Sequence, residues 1–357
     1  MNSVLPEWLR HISIPGTSSA LGEAGVSVRV GQPLDPTALE LSAGFPIGGV
    51  LGMELQRSIE AAGKNGGPGV GPVSLRSRPA SHAVQPGLAP IPGIRNIIAV
   101  GSGKGGVGKS TVTVNLALAL ARDGAKVGIL DADIYGPSIP TMLGLRGRPD
   151  SPDGKSIEPM RVHGIEAMSI GLLVEQDTPM IWRGPMATSA LTQLLNDTRW
   201  GDIDYLFVDL PPGTGDIQLT LAQKIPVAGA IIVTTPQDVA TLDARKALKM
   251  FEKVHVPVLG LVENMAVHTC THCGHVDHVF GEGGADRMAG DYDVPVLGRL
   301  PLVRSIREFG DAGAPVVISA PESPAALAFV SAARQAALAL ARRPAVARPL
   351  SISLAPD

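Results

Sequence analysis

A glycine-rich segment of the sequence has the residue types and spacing of a loop that holds phosphate. An apolar run at 95–100 leads into it, and a helical pattern at 109–122 follows. Glycines let backbone N–H groups turn towards a β-phosphate, and the helix adds the partial positive charge of its N-terminus. Lys109 would neutralise the β- and γ-phosphates, and the Ser110 hydroxyl would bind Mg²⁺. Because such a loop is exposed, we expect Lys109→Ala to abolish nucleotide hydrolysis and to leave the fold intact. The segment consists of Gly103, Lys104, Gly105, Gly106, Val107, Gly108, Lys109, Ser110 and Thr111.

Two acidic loops stand at the ends of other predicted strands. Asp131 and Asp133 follow the apolar run at 126–130, and Asp209 follows the run at 204–208. A lone aspartate at a strand end is usually only a helix cap. Here each loop continues into glycines and prolines that can change conformation when a γ-phosphate leaves, which favours roles in holding Mg²⁺ and water.

Both cysteines of the chain form a C-x-x-C motif, Cys270 and Cys273. Two thiolates at this spacing point to one side of a tight loop and can bind a soft metal, but one pair cannot complete a four-thiolate site. Either two chains each donate a pair, or neighbouring histidines complete a Zn²⁺ site, or the pair is a redox dithiol. The nearby histidines, which can be ligands or solvated loop residues, are His268, His272, His275 and His278.

The pattern of apolar runs indicates the elements that must position these residues. After residue 93, strand-like runs alternate with helical stretches, which is typical of a mostly parallel sheet covered by helices on both faces. Ligands bind such sheets at the carboxyl ends of the strands, where the three motifs stand. The other predicted elements are strands at 229–233, 258–262 and 295–300 and helices at 187–197, 239–254 and 324–343.

The residues before this pattern predict a small α+β domain. Residues 26–30 alternate like a strand, 51–63 have helical spacing, and GPVSLRS forms a short strand within a Gly- and Pro-rich stretch. The predicted division is a small domain at 1–75, a linker at 76–93, an α/β P-loop domain at 94–343 and a C-terminal tail at 344–357.

Composition limits the class of protein. Lys and Arg total 30 against 33 Asp and Glu, a formal charge of −3 that offers no basic surface for nucleic acid. Two cysteines do not make a disulfide-stapled secreted scaffold. We find neither a signal-peptide pattern nor an apolar run near the roughly 18 residues of a spanning helix. We therefore expect a cytoplasmic protein that binds neither nucleic acid nor membrane.

Together the motifs resemble the Mrp/ApbC family of iron–sulfur cluster carrier ATPases, within the MinD/ParA class of deviant Walker P-loop proteins. The resemblance covers about residues 93–335. It is carried by the phosphate loop with its additional lysine, DADIYGPSIP, DLPPGTGD, TTPQDVA at 234–240, ENM at 263–265 and CTHCGH.

This resemblance implies a homodimer that hydrolyses ATP slowly with Mg²⁺. The dimer would hold a labile [4Fe–4S] cluster between two C-x-x-C pairs, receive it from an assembly scaffold and pass it to apo-proteins. Catalysis would use Lys104, reaching the partner's nucleotide, together with Lys109. Asp133 would orient the attacking water, Asp209 would stand beside Mg²⁺, and Asn264 would contact adenine. The N-terminal segment resembles, more weakly, an iron–sulfur-assembly domain, but it has no cysteine.

Two other functions stay open. A MinD/ParA-type positioning ATPase would bind a membrane or DNA through an amphipathic or basic surface. Residues 324–343 are amphipathic and end in two arginines, although their many alanines favour a core-packing helix. The third function is a Zn²⁺-knuckle adaptor that binds ATP without transferring clusters.

Overall fold

The structure is a computed structural model that describes residues 5–32, 35–64, 71–173 and 184–346. Within these ranges the strands are β1 (Ser27–Gln32), β2 (Asp35–Ala43), β3 (Val73–Ser77), β4 (Ile94–Ser102), β5 (Val127–Asp131), β6 (Met160–Val162), β7 (Ile165–Ser169), β8 (Ile203–Asp209), β9 (Gly229–Thr234), β10 (Val258–Thr269), β11 (Val276–Asp277) and β12 (Val296–Pro301). The helices are α1 (Glu7–Arg10), α2 (Gly49–Lys64), α3 (Lys109–Arg122), α4 (Ile139–Met142), α5 (Gly184–Asp197), α6 (Asp216–Lys224), α7 (Asp238–Lys253), α8 (Gly284–Tyr292), α9 (Arg304–Asp311), α10 (Val316–Ser319) and α11 (Pro324–Ala341).

The larger sheet is parallel through the order β12–β10–β9–β4–β8–β5–β7, with β6 and β11 added antiparallel. Helices cover both faces of this sheet. Because side chains alternate between the two faces along each strand, successive residues pack into different cores. Ile98 and Val100 pack into a core shared with α3 and α11, whereas Ile97 and Ala99 pack into a core shared with α5, α6 and α7. The predicted α/β P-loop fold, with helices on both faces of a mostly parallel sheet, is confirmed.

The last helix lies in the core. α11 packs against α3 and β12, and its apolar face includes Phe329 and Leu338. By length and composition it is the one helix of the described residues that could cross a membrane, and 61% of its 18 residues are buried in the fold. Our expectation that no apolar stretch reaches spanning length was therefore wrong. The prediction of a core-packing helix at 324–343 is confirmed.

A small three-stranded sheet and α2 make up the N-terminal part of the structure. β2 pairs antiparallel with β1 and parallel with β3. This part docks on the end of α3: the Gly48 N–H donates to the Asp123 carbonyl at 3.1 Å and the Leu51 N–H to its carboxylate at 3.0 Å. The buried Arg334 of α11 completes the junction, with nitrogens 2.7 Å from Asp123 and 2.9 Å from Glu54.

The predicted strands and helices are confirmed with small shifts at their ends, but four strands were missed. These are β2, β6, β7 and β11. β10 also runs to Thr269, well beyond its predicted end at 262. Within the predicted linker, Gln85 is buried and bonds to main-chain atoms around Ile225. The four-part division of the chain stays a prediction, and its C-terminal tail lies outside the described residues from 347 onward.

Candidate functional site

The phosphate-loop residues lie between the carboxyl end of β4 and the first turn of α3. Gly106 and Gly108 have φ angles of 79° and 82°, in the left-handed region that favours glycine. A Cβ on Gly103 would lie 2.0 Å from the Asp243 main chain of α7, so only glycine fits there. The loop surrounds a cavity of about 190 Å³ lined by Lys104, Gly105, Gly106, Val107, Gly108, Lys109, Ser110, Thr111 and Asp133.

Lys109 is buried against carboxylates. Its Nζ lies 2.8 Å from Asp209 Oδ2 and 3.7 Å from Asp133 Oδ2, and the side chain is only 5% exposed. Our premise that Lys109 is exposed was therefore wrong, whereas the effect of Lys109→Ala on the fold stays a prediction. The loop backbone is open to the cavity, but the lysine side chain turns inward to compensate the buried charge of Asp209.

Asp209 is the centre of a hydroxyl network at the end of β8. Its Oδ2 accepts a hydrogen bond from Ser110 Oγ at 2.5 Å, and its Oδ1 accepts one from Thr113 Oγ1 at 2.7 Å. Hydroxyl and carboxylate oxygens are the ligands that Mg²⁺ prefers, together with phosphate and water. The paired Ser110 and Asp209 therefore fit a Mg²⁺ ion beside the phosphate cavity.

The loop after β5 holds two aspartates in different environments. Asp131 is fully buried and accepts hydrogen bonds from Ser169 Oγ at 3.0 Å and from the Ile139 N–H at 3.2 Å. Burial, with the nearby charge of Asp209, raises the pKa of Asp131 to about 8. Burial also raises the pKa of Asp133, against the opposing effect of the Lys109 ammonium. Asp133 lines the phosphate cavity, whereas Asp131 shapes the loop that carries it.

Asn264 lies beside the phosphate loop at the wall of a second cavity. Its Nδ2 donates to the Val107 carbonyl at 2.8 Å and stands over Gly108, where a Cβ would lie 2.3 Å from that nitrogen. This cavity, of about 210 Å³, adjoins the phosphate cavity and has a largely apolar lining. Its walls include Gly108, Thr111, Met142, Asn264, Met265, Pro301, Leu302, Val303, Ile306 and Arg307. Its size and largely apolar lining fit a nucleobase.

The two cysteines stand at the tip of a hairpin between β10 and β11. The Cys270 N–H donates to the His275 carbonyl at 2.8 Å, and the Gly274 N–H donates to the Cys270 carbonyl at 2.9 Å. The Cys273 residue is exposed and Cys270 is partly exposed. Backbone N–H groups of Cys273 and His272 face the Cys270 sulfur and lower the pKa of its thiol. The hairpin thus presents two free thiols, one exposed and one partly exposed.

The four histidines of this segment differ in their surroundings. His268 Nδ1 bonds to the Leu302 carbonyl at 2.9 Å, and His278 Nδ1 bonds to the Ala266 carbonyl at 3.2 Å. His272 and His275 are exposed. Across the described ranges, no group of three or more His, Cys, Asp or Glu side chains is placed to hold a metal ion.

Some residues of the site were missed from the sequence. Thr113 bonds to Asp209 from one helical turn beyond Lys109, so its position on the same face of α3 was a usable signal. Met265 and Leu302 line the second cavity, but no motif marks a cavity wall that distant segments form together.

Comparisons with known proteins agree on one family. A family model described as ParA, NUBPL iron-transfer P-loop NTPase, matches residues 93–337. The iron-sulfur cluster carrier protein of Escherichia coli strain K12 is 63% identical over 240 residues, which is 67% of this chain and 64% of that protein. The iron-sulfur cluster transfer protein NUBPL of Mus musculus is 54% identical over 252 residues, which is 70% of this chain and 79% of that protein.

A solved structure agrees with the relatives. A nucleotide-binding protein from Archaeoglobus fulgidus, in complex with ADP, is 42% identical with a TM-score of 0.56, over 62% of this chain and 87% of that one. The match to the E. coli relative spans 64% of that protein, which is somewhat less than two thirds of its length. The match to the family model includes the phosphate loop, the acidic loops and the cysteine hairpin of this chain.

Proposed function

The chain belongs to the NUBPL iron-transfer family of P-loop NTPases, and on that premise we propose that it carries a [4Fe–4S] cluster to apo-proteins and hydrolyses ATP in doing so. One observation carries the proposal: a pair of outward-facing thiols stands at the end of the same strand whose Asn264 touches the phosphate loop. The names of the relatives favour this function over a positioning ATPase or a Zn²⁺ adaptor.

The nucleotide site supports slow, Mg²⁺-dependent hydrolysis of ATP. The N–H groups of the phosphate loop would bind the β-phosphate. The Lys109 ammonium would leave its ion pair with Asp209 and pair with the β- and γ-phosphate oxygens instead. Ser110 and Asp209 would hold Mg²⁺, which neutralises charge developing on the phosphates. Asp133 orients the attacking water, and its raised pKa makes it a better proton acceptor than a free aspartate. Asn264 and the second cavity receive the adenine.

Two features support a homodimer that closes over the nucleotide. The Lys104 ammonium has no ion-pair partner within the described residues, although it lines the phosphate cavity. Large apolar side chains are exposed near the same edge of the sheet at Tyr135, Val239 and Leu242. A surface of this kind marks an interface, and a two-fold axis would place Lys104 of each chain near the partner's phosphates.

Mixing two inactive variants tests whether Lys104 acts on the partner's nucleotide. Lys104→Ala and Asp133→Ala should each abolish hydrolysis as homodimers. A heterodimer would contain one complete site, because the Lys104→Ala chain keeps its own Asp133 and receives the partner's lysine. An equal mixture should therefore recover about a quarter of the wild-type ATPase rate. No recovery in a mixture that forms heterodimers would contradict the proposed arrangement.

The cargo is bound by thiolates. A [4Fe–4S] cluster uses four cysteine ligands, and each chain supplies two, so the cluster would bridge two hairpins. Its exposure there suits a carrier that must release it. Clusters and free thiols need a reducing compartment, and we place this activity in the cytoplasm, between an assembly scaffold and apo-proteins.

Single substitutions in the hairpin distinguish a cluster from a zinc ion. Cys270→Ser and Cys273→Ser should abolish cluster uptake and transfer to an apo-ferredoxin, and should preserve ATP binding because the nucleotide ligands lie on other loops. His275→Ala is the matched control on the same exposed hairpin and should retain uptake. Loss of the bound metal in His275→Ala, with one colourless metal per wild-type chain, would favour the zinc site instead.

A further inference from the structure

β10 consists of two segments joined by an irregular stretch. Its first segment pairs with β9 as far as Glu263, inside the central sheet. Its last residues, His268 and Thr269, pair with β11 and carry the cysteine hairpin. Between them the pairing with β12 loses register from Glu263 to Val267. A strand interrupted in this way can change the angle between its two ends while each end keeps its own pairing.

The irregular stretch contains a strained residue in contact with the nucleotide site. Met265 has a φ of 56°, in the left-handed region that a methionine rarely adopts. Its side chain lines the second cavity, and the preceding Asn264 bonds to the Val107 carbonyl of the phosphate loop. Backbone strain of this kind persists where surrounding contacts impose it, and it often occurs where a segment must switch.

The hairpin side of this stretch is bonded to another residue that lines the same cavity. The Val267 carbonyl accepts a hydrogen bond from the Leu302 N–H at 2.7 Å, and His268 Nδ1 donates to the Leu302 carbonyl at 2.9 Å. Leu302 also lines the cavity. A nucleobase in the cavity would therefore lie beside Met265 and Leu302. Met265 is a few residues from the hairpin along the chain, and Leu302 is hydrogen-bonded to Val267 and His268 next to it.

We propose that Met265, held by Asn264, is a positioning residue that couples nucleotide binding to the orientation of Cys270 and Cys273. This inference rests on the proposed nucleotide site and on the proposed cargo. A bound nucleobase fixes the joint between the two segments of β10 and so restrains the hairpin. Because coupling between two sites is reciprocal, a cluster held by the hairpin must change nucleotide affinity by the same factor.

The chain offers a direct readout, because Cys270 and Cys273 are its only cysteines. We would measure the rate at which iodoacetamide alkylates the metal-free, full-length protein with and without Mg²⁺–ADP. Nucleotide saturation would be established for each variant by titration. In the wild type we expect ADP to slow alkylation about fivefold, the lower range of typical coupling between sites. In Met265→Gly, which releases the strain and removes the side chain, the two rates should become equal.

Two further variants make the test specific. Met265→Leu keeps a side chain of similar size at the strained position and should keep the nucleotide effect. His255 also has a positive φ, 59°, but it is exposed and lies in the turn before β10 begins, so His255→Gly should keep the effect as well. Two results would overturn the coupling. One is that ADP slows alkylation of Met265→Gly as much as it slows alkylation of the wild type, and the other is that saturating ADP leaves the wild-type alkylation rate unchanged. The assay contains no iron, so failure to bind a cluster would refute the proposed cargo without altering this result.

Discussion

Lys109 is a buried cation whose contact with Asp209 would be replaced under the proposed function. Its Nζ lies 2.8 Å from Asp209 Oδ2, and the Asp209 side chain is fully buried. In the proposed nucleotide complex, phosphate oxygens would pair with the lysine, and Mg²⁺ would pair with Asp209. Each of the two buried charges would thus keep a compensating partner when the contact between them is broken.

The same pair predicts an effect on stability. Lys109→Ala should abolish ATP hydrolysis and lower the free energy of unfolding by about 3 kcal/mol, because Asp209 is left buried without a cation. Adding Asp209→Asn should recover most of that stability, since the uncompensated charge is removed, but no activity. Urea unfolding of the nucleotide-free proteins measures the effect. Equal stability of wild type and Lys109→Ala would show that the buried pair does not hold the free site together.

For the single residues of the site, the sequence predicted which side chains lie close together but not which of them are buried. Glycine and lysine spacing predicted the phosphate loop, and aspartates at strand ends predicted the acidic partners. The burial of Lys109 depends on Asp209, which stands on a different strand and comes 100 residues later. Likewise, Ser169 and Met265 reach their partners only through tertiary packing.

Among the elements, α3 joins the nucleotide site to the N-terminal part of the chain. It begins at the phosphate loop, and it is followed at its other end by Asp123, which accepts two of the side-chain bonds from Arg334. Glu54 of α2 shares the same guanidinium. A bidentate pair of this kind fixes orientation as well as distance. The cysteine-free N-terminal part is therefore held against the helix that carries the phosphate loop.

Removal of the Arg334 guanidinium should weaken this junction. Arg334→Leu leaves Asp123 buried without its cation, and we expect a loss of about 3 kcal/mol in the free energy of unfolding. Arg161 provides the matched control, since it is 75% exposed in its pair with Glu166. Arg161→Leu should cost less than about 1 kcal/mol. Urea denaturation compares the two, and an equal effect would contradict a structural role for the buried junction.

Strands and helices were predicted correctly where their burial in the fold matches the apolar pattern of their own residues. The central strands are buried on both faces, so their continuous apolar runs were visible in the sequence. β6 is largely unburied, and β11 has only two residues, so neither has a pattern of its own. They exist because a neighbouring strand supplies the hydrogen bonds. The extension of β10 was hidden because its last residues are polar and partly exposed.

Over the whole molecule, the groups proposed for chemistry collect at one edge of the sheet. The phosphate loop, the two acidic loops and the cavity beside Asn264 all follow the carboxyl ends of parallel strands. β10 carries the cysteine pair beyond that edge. A two-fold axis near this edge would bring two nucleotides and two thiol pairs together in one dimer. Under the proposed function, the dimer rather than the single chain therefore binds the cluster.

A cluster shared by two chains is tested by measuring the iron content, the sulfide content and the particle mass of one anaerobically reconstituted sample. We expect one [4Fe–4S] cluster for every two chains, which is about two iron and two sulfide atoms per chain. The visible absorption of a cluster should accompany a particle with twice the mass of the 36.9 kDa chain. Cys270→Ser should lose the iron, the colour and the cluster-dependent dimer together. A monomer that binds one zinc ion and takes up no iron would contradict the proposed cluster carrier.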